Sequence, residues 1–93
     1  MTIHWCGTGL SAIPGLRRLI EAGHDVTVWN RTTDKAKDAI GDLTDNIHAF
    51  DFDTLKSKVA EGDVVVSMLP GDWHVPLAEM CIEAGANFVS SSY

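Results

Sequence analysis

The sequence has few of the features that mark membrane-spanning or nucleic-acid-binding proteins. Only seven of its 93 residues are basic, against thirteen acidic ones, which gives a net charge of −6. So few basic residues leave no positive stripe for a phosphate backbone, which argues against a nucleic-acid partner. The longest apolar run, from Val64 to Leu69 and interrupted by Ser67, is far too short to cross a bilayer. We therefore expect one compact soluble domain, near the lower end of common domain sizes, without a membrane partner.

Cysteine is scarce as well, because Cys6 and Cys81 are the only two. Two widely separated thiols in an ordinary composition are typical of a reduced protein. The first residues contain no basic stretch followed by a long apolar segment, so we expect no signal peptide and a cytoplasmic location. His4 and Cys6 share strand parity, but no further ligand stands at metal spacing, so we interpret both as packing residues and expect no metal site.

What the sequence does contain is a regular alternation of strand-like and helix-like segments. Strands are predicted at 2–6, 25–30, 46–50, 63–70 and 87–91, and helical apolar spacing lies between each pair. Asp53 is predicted to cap the third helix, and Pro76 to lie in the first turn of the fourth. Helices between consecutive strands require parallel pairing through right-handed crossovers. The predicted fold is a doubly wound parallel α/β sheet with the strand order 3-2-1-4-5.

The segment CGTGLSA, residues 6–12, lies where the first strand meets the first helix. Gly7 would permit a tight turn, Gly9 a close approach of the backbone to a diphosphate, and Ala12 close packing of helix on sheet. An empty glycine turn is the alternative interpretation, but this context favours a Rossmann dinucleotide-binding domain. The predicted phosphate loop consists of Gly7, Thr8, Gly9, Leu10, Ser11 and Ala12.

The end of the second strand predicts which cofactor binds. An NAD site usually has Asp or Glu there, whereas a 2′-phosphate requires a neutral residue and a cation. This chain has Asn30, Arg31, Thr32 and Thr33, with Lys35 as a second cation. The alternative is that Asn30 caps a helix and Arg31 is a solvated surface charge. The combination favours NADP, with Arg31 on the 2′-phosphate.

The fourth and fifth strands end in Leu69-Pro70 and Ser90-Ser91. Open α/β sheets bind ligands at the carboxyl ends of their strands, so we expect these four residues to line the nicotinamide end of the groove. His74 is nearby and is interpreted as structural. Four acidic residues are interpreted as a solvated rim: Asp42, Asp45, Asp51 and Asp53. No catalytic residue is assigned.

Together these motifs resemble a known family. GTGLSA, WNRTTDKA, VVSMLP and FVSSSY, each at a strand end, are similar to the N-terminal NADP-binding domain of saccharopine dehydrogenases, specifically the glutamate-forming saccharopine reductase type. The resemblance covers essentially all of this chain but only the first part of such an enzyme. LP and SSY are its more specific elements, because many dehydrogenases share the glycine string.

The resemblance implies an oxidoreductase of amino-acid and lysine metabolism. In that family a second domain contacts the amino acid and semialdehyde that form the secondary amine, and that domain would also support a homodimer. Residues 7–10 would match the phosphate loop, residues 30–32 the adenosine-phosphate site, and residues 69, 70 and 90–92 the inner groove. Trp5, Cys6 and GDWHVP depart from the family pattern, so carboxynorspermidine-type relatives or another imine-linked dehydrogenase stay open as alternatives.

Two other interpretations also stay open. The NRT element is similar to the β-hydroxyacid dehydrogenases. A non-enzymatic nucleotide-sensing domain of a channel or transporter is the third, although such domains usually keep an acidic residue where this chain has Asn30 and Arg31.

Overall fold

Five strands alternate with four α-helices in the computed structural model, which describes residues 1–7, 13–69 and 71–90. The strands are β1 (Ile3–Cys6), β2 (Val26–Asn30), β3 (Ile47–Ala49), β4 (Val64–Ser67) and β5 (Asn87–Ser90). The helices are α1 (Ile13–Glu21), α2 (Thr33–Ile40), α3 (Phe52–Lys58) and α4 (His74–Ala84), and a 3₁₀ turn at Gly71–Trp73 precedes α4. Each predicted element is present, but β4 ends at Ser67 and is shorter than predicted.

All the strand pairs are parallel, and the sheet order is β3-β2-β1-β4-β5. The predicted fold class and strand order are therefore confirmed. The central strand, β1, pairs with β2 on one edge and β4 on the other, so that Trp5 lies opposite both Val28 and Val66. Because every strand runs in the same direction, all the carboxyl ends meet at one edge of the sheet.

Successive side chains of β1 enter two different cores, as the two-residue period of a strand requires. Ile3 and Trp5 pack with Leu16 of α1 and Ile40 of α2. Cys6 faces the other way and packs with α3 and α4, among residues such as Leu77. The near-continuous apolar run of β4 follows from this arrangement, since both of its faces are covered. No helix of the described ranges is long and apolar enough to cross a membrane.

The acidic residues of the predicted rim are exposed, but two of them have specific partners. Asp42 accepts two hydrogen bonds from Arg17, both at 2.9 Å, which hold the pKa of the Asp42 carboxyl below its usual value. The prediction that Asp53 caps α3 is wrong by two residues, because Asp51 occupies that position. Asp51 is extended (φ −142°, ψ 118°), and its carboxylate accepts from the backbone N–H of Asp53.

A buried polar network connects the amino ends of β1 and β4. The indole N–H of Trp29 points at Nδ1 of His4 at 3.3 Å, and because an indole only donates, the other ring nitrogen of His4 carries the proton. That Nε2–H donates to Asp63 at 3.1 Å. Asp63 also accepts from the backbone N–H groups of Thr2 and Ala60, at 2.9 and 3.0 Å. His4 is thus a packing residue, as predicted, but one with two hydrogen bonds.

The chain leaves β1 through Gly7, which has a φ of 96°. Its N–H donates to the carbonyl of Trp29 at 2.7 Å, so the turn is tied to β2. A Cβ at this position would lie 3.1 Å from the backbone carbon and oxygen of Met68, atoms that cannot rotate away. Glycine is therefore required twice at this exit, by conformation and by space.

Replacing Asp63 by Asn should destabilise the fold by about 1–3 kcal/mol at neutral pH, because the amide cannot accept from all three donors. Burial raises the pKa of the Asp63 carboxyl, but the hydrogen bonds from Thr2, Ala60 and His4 outweigh burial and leave that pKa below its ordinary value. Stability from such a lowered pKa is present above the unfolded value and is lost as the pH falls through the folded one. Urea unfolding should show the gap to wild type closing below about pH 4. Exposed Asp38→Asn is the control, and equal stability of the two variants at pH 7 would contradict the role of Asp63.

Gly7→Ala should cost more than the same change at Gly62 or Gly23. All three glycines have positive φ, but a Cβ at Gly62 or Gly23 would meet nothing within 4 Å. Those two variants measure the conformational cost alone, about 1–2 kcal/mol. Gly7→Ala adds the contact with Met68, so its free energy of unfolding in urea should fall further. If the three losses are the same, the close approach of β1 and β4 does not constrain position 7.

Candidate cofactor-binding site

The predicted site residues that the structure describes all lie at the carboxyl edge of the sheet. Gly7 follows β1, Asn30 ends β2, Leu69 follows β4 and Ser90 ends β5. The register places these ends side by side, because Cys6 pairs with Trp29 and Ser67, and Ser67 with Ser90. Eight further predicted residues lie outside the described ranges: Thr8, Gly9, Leu10, Ser11, Ala12, Pro70, Ser91 and Ser92.

The exits of β1 and β4 are held close together. The N–H of Met68 donates to the carbonyl of Cys6 at 2.8 Å, one residue before Gly7. From here the chain turns to α1 on one face of the sheet, whereas the chain after β4 turns to α4 on the other face. The two connections diverge, and ligands of doubly wound sheets bind in the crevice outside such a switch point.

At the end of β2, the side chain of Asn30 shapes the backbone. Its side-chain amide N–H donates to the main-chain carbonyl of Thr32 at 2.8 Å. The main-chain carbonyl of Asn30 accepts from the backbone N–H of Phe50, also at 2.8 Å. This turn was not predicted, although Asn is a common turn former. An aspartate could not make the bond, because its carboxylate would face a carbonyl oxygen. Neutrality at position 30 therefore has a structural as well as an electrostatic reason.

The start of α2 has backbone N–H groups that the side chain of its N-cap residue does not satisfy. Thr32 occupies the N-cap position in an extended conformation (φ −116°, ψ 108°), yet its hydroxyl makes no capping bond. The first N–H groups of a helix have no partner within the helix and carry a positive partial charge. A phosphate group fits this donor set, with the Thr32 hydroxyl and Arg31 directly beside it.

Charge at this end of β2 is also consistent with an anion. Arg31 and Lys35 are exposed, and neither forms an ion pair with any residue that the structure describes. By contrast, Arg17 is engaged by Asp42 at 2.9 Å. Asp34 is the acidic residue of the first turn of α2. Arg31 and Lys35 are therefore two cations that no described carboxylate pairs with, on a chain that is acidic overall.

Leu69 contributes through its main chain rather than its side chain. The side chain is packed into the core beneath α3 and α4, and the residue is 8% exposed. Its carbonyl accepts from Nε2 of His74 at 3.2 Å. Ser90 is half-buried at the end of β5. Leu69 can therefore affect a ligand only by fixing the path of the chain beyond β4. Its apolar side chain gave no reason to expect the hydrogen bond between its carbonyl and His74.

Neither cysteine is an activated nucleophile. Burial, with a smaller contribution from neighbouring Cys81, raises the pKa of the Cys6 thiol to about 12. Burial likewise raises the pKa of Cys81. Only thiolates are good nucleophiles, so both cysteines are packing residues. Across the described ranges, no three His, Cys, Asp or Glu side chains converge as metal ligands.

An open cavity of about 490 Å³ lies away from this edge. It is lined by Lys37 and Gly41 at the end of α2 and by residues up to Ile47 at the start of β3. That position is the amino edge of the sheet, opposite the strand ends that carry the predicted site.

Comparison with known proteins agrees with this geometry. The saccharopine dehydrogenase NADP binding domain family matches residues 3–93. The apo, histidine-tagged saccharopine dehydrogenase (L-Glu forming) from Saccharomyces cerevisiae superposes with a TM-score of 0.80 at 26% identity, over 99% of this chain and 22% of that one.

Two other relatives extend the comparison. The uncharacterized oxidoreductase YfjR of Bacillus subtilis (strain 168) is 36% identical over 72 residues, which is 77% of this chain and 23% of that protein. UDP-N-acetylglucosamine 3-dehydrogenase GnnA from Acidithiobacillus ferrooxidans has a TM-score of 0.67 at 20% identity, over 97% of this chain and 28% of its own, and supports the fold alone.

The chain spans less than a quarter of YfjR and of the yeast enzyme. The predicted family, the Rossmann fold and NADP as cofactor are nevertheless confirmed, because the family match runs over nearly the whole sequence. The chain belongs to the saccharopine dehydrogenase NADP-binding domain family.

Proposed function

We propose that this chain is the cofactor-binding domain of an oxidoreductase that acts on CH–NH bonds, with a secondary amine or imine formed from an amino acid and a semialdehyde as substrate. The observation that carries the cofactor part of the proposal is the end of β2, where exposed Arg31 directly precedes Thr32, the N-cap residue of α2, whose side chain makes no capping bond. Likeness to the yeast saccharopine dehydrogenase supports the substrate class.

The groove would hold NADP(H) in three parts. Residues 7–12 would form the diphosphate turn, with Gly7 fixing its start. Arg31, the Thr32 and Thr33 hydroxyls and the first N–H groups of α2 would hold the 2′-phosphate. The chain beyond Leu69, with Pro70, Ser90 and Ser91, would border the nicotinamide. Bound NADP(H) supplies the hydride, and the residues of this chain orient it and shield it from water.

The catalytic groups would belong to a second domain of a longer, cytoplasmic enzyme, with residues 1–93 as its NADP-binding domain. The described residues offer no paired acid and base at the carboxyl edge, and the relatives' chains are more than three times as long as this one. The second domain would contact the amino-acid-derived substrate, and a homodimer would form through it.

Replacing Arg31 by Ala should weaken NADPH binding about ten- to a hundredfold, because a charge-assisted contact with the 2′-phosphate is lost. NADH affinity should change little, since NADH has no phosphate there. Calorimetric titrations with both cofactors at one ionic strength measure the difference. Arg18→Ala, which removes an exposed arginine from the end of α1, is the matched control. Equal losses for NADPH and NADH would remove Arg31 from the 2′-phosphate site.

The 93-residue chain should bind NADPH but should not catalyse the saccharopine-dependent reduction of NADP⁺. Hydride transfer requires a substrate held against the nicotinamide and shielded from water, and half of a groove does neither. Absorbance at the NADPH band, with saccharopine and NADP⁺ added, measures turnover, and a full-length protein containing this domain is the control. A rate close to that of the full-length protein would contradict the proposed division between domains.

A further inference from the structure

His74 connects the exit of β4 to β5. It is the first residue of α4, and its Nε2 lies 3.2 Å from the carbonyl oxygen of Leu69, five residues earlier in the chain. A carbonyl only accepts, so Nε2 carries the proton and donates it. The imidazole also packs edge-on against Phe88 of β5, with ring centroids 6.2 Å apart. One half-buried side chain thus contacts the chain after β4 and the neighbouring strand.

The preceding residue, Trp73, also makes contacts that hold the turn before α4. Trp73 packs edge-on against Phe50 at 5.0 Å and is stacked on Phe52 at 6.2 Å. Phe50 follows β3 and Phe52 begins α3, so the turn before α4 is held by aromatic contacts from that direction as well. Among these contacts, the bond from His74 alone restrains the main chain of Leu69.

We infer that His74 is a positioning residue for the nicotinamide half of the cofactor groove. It acts through Leu69, whose side chain is buried and whose carbonyl is held by Nε2. The inference rests on the proposed function, because it requires the nicotinamide to lie beside the exit of β4. The adenosine half would bind at the end of β2, on the far side of β1, so loss of His74 should leave that half unchanged.

Comparing the binding of two ligands distinguishes the two halves of the groove. NADPH occupies both, whereas 2′,5′-ADP carries only the adenosine and its 2′-phosphate. His74→Leu removes the donor but keeps an apolar side chain against Phe88, and His74→Gln keeps an N–H group. His24→Leu, at an exposed histidine, is the matched control. His74→Leu should weaken NADPH binding about three- to tenfold, the effect of losing one hydrogen bond, without weakening 2′,5′-ADP.

His74→Gln should restore most of the NADPH affinity, and His24→Leu should not change it. If His74→Leu weakens both ligands equally, or neither, His74 has no positioning role and the inference is overturned. If wild type binds neither ligand, the proposed function fails, and the inference fails with it. Where His74→Leu does not fold, backbone NMR of the wild type decides: NADPH, but not 2′,5′-ADP, should shift the amide signal of Leu69, and unchanged signals would overturn the inference.

Discussion

Everything at the carboxyl edge depends on the position of β1 between two parallel neighbours. This strand of four residues is paired with β2 and β4 along its edges and is buried on both faces. Its pairing aligns the exits of β1, β2 and β4, and its alternating side chains connect the two helical layers. Because α1 and α4 start on opposite faces, the crevice opens beside the end of β1, where a dinucleotide can lie across the sheet.

The polar groups at the amino edge and at the carboxyl edge of the sheet have different roles. At the amino edge, the Asp63 carboxylate is buried and satisfied by Thr2, His4 and Ala60, so the polar groups there are used for folding. At the carboxyl edge, the Thr32 side chain makes no capping bond to the N-terminal N–H groups of α2, and no other described side chain is seen to cap them. A protein tolerates exposed, unpaired donors at little cost, and these are the groups that a phosphate oxygen can accept from. Among the described residues, the buried carboxylate at the amino edge is thus satisfied by the protein itself, whereas exposed donors at the carboxyl edge are left for a ligand.

The sequence predicted well what is local or periodic. The run at Val64–Val66 is that of a strand covered on both faces, and helices between strands leave parallel crossovers as the consistent topology. Asn30 and Arg31 indicated NADP because the fold rule ties the end of β2 to the ribose. The position of the α3 cap was missed, because choosing Asp51 over Asp53 requires knowing where β3 ends. His4 and Asp63 are 59 residues apart, and no local pattern indicates that they meet. The contact between His74 and Leu69 depends likewise on the geometry of the turn that joins them.

The chain and the proposed ligand are both negatively charged, which limits the interactions that can provide affinity. A chain with a net charge of −6 repels a cofactor that carries several phosphate charges. At physiological ionic strength, charges more than about 8 Å away are largely screened, so binding depends on the groups nearest to the cofactor. What remains is short-range: Arg31, Lys35 and the donors at the start of α2. Affinity must therefore come from the geometry of a few contacts, and the Asn30 turn, which sets the backbone between β2 and α2, matters as much as the cation it precedes.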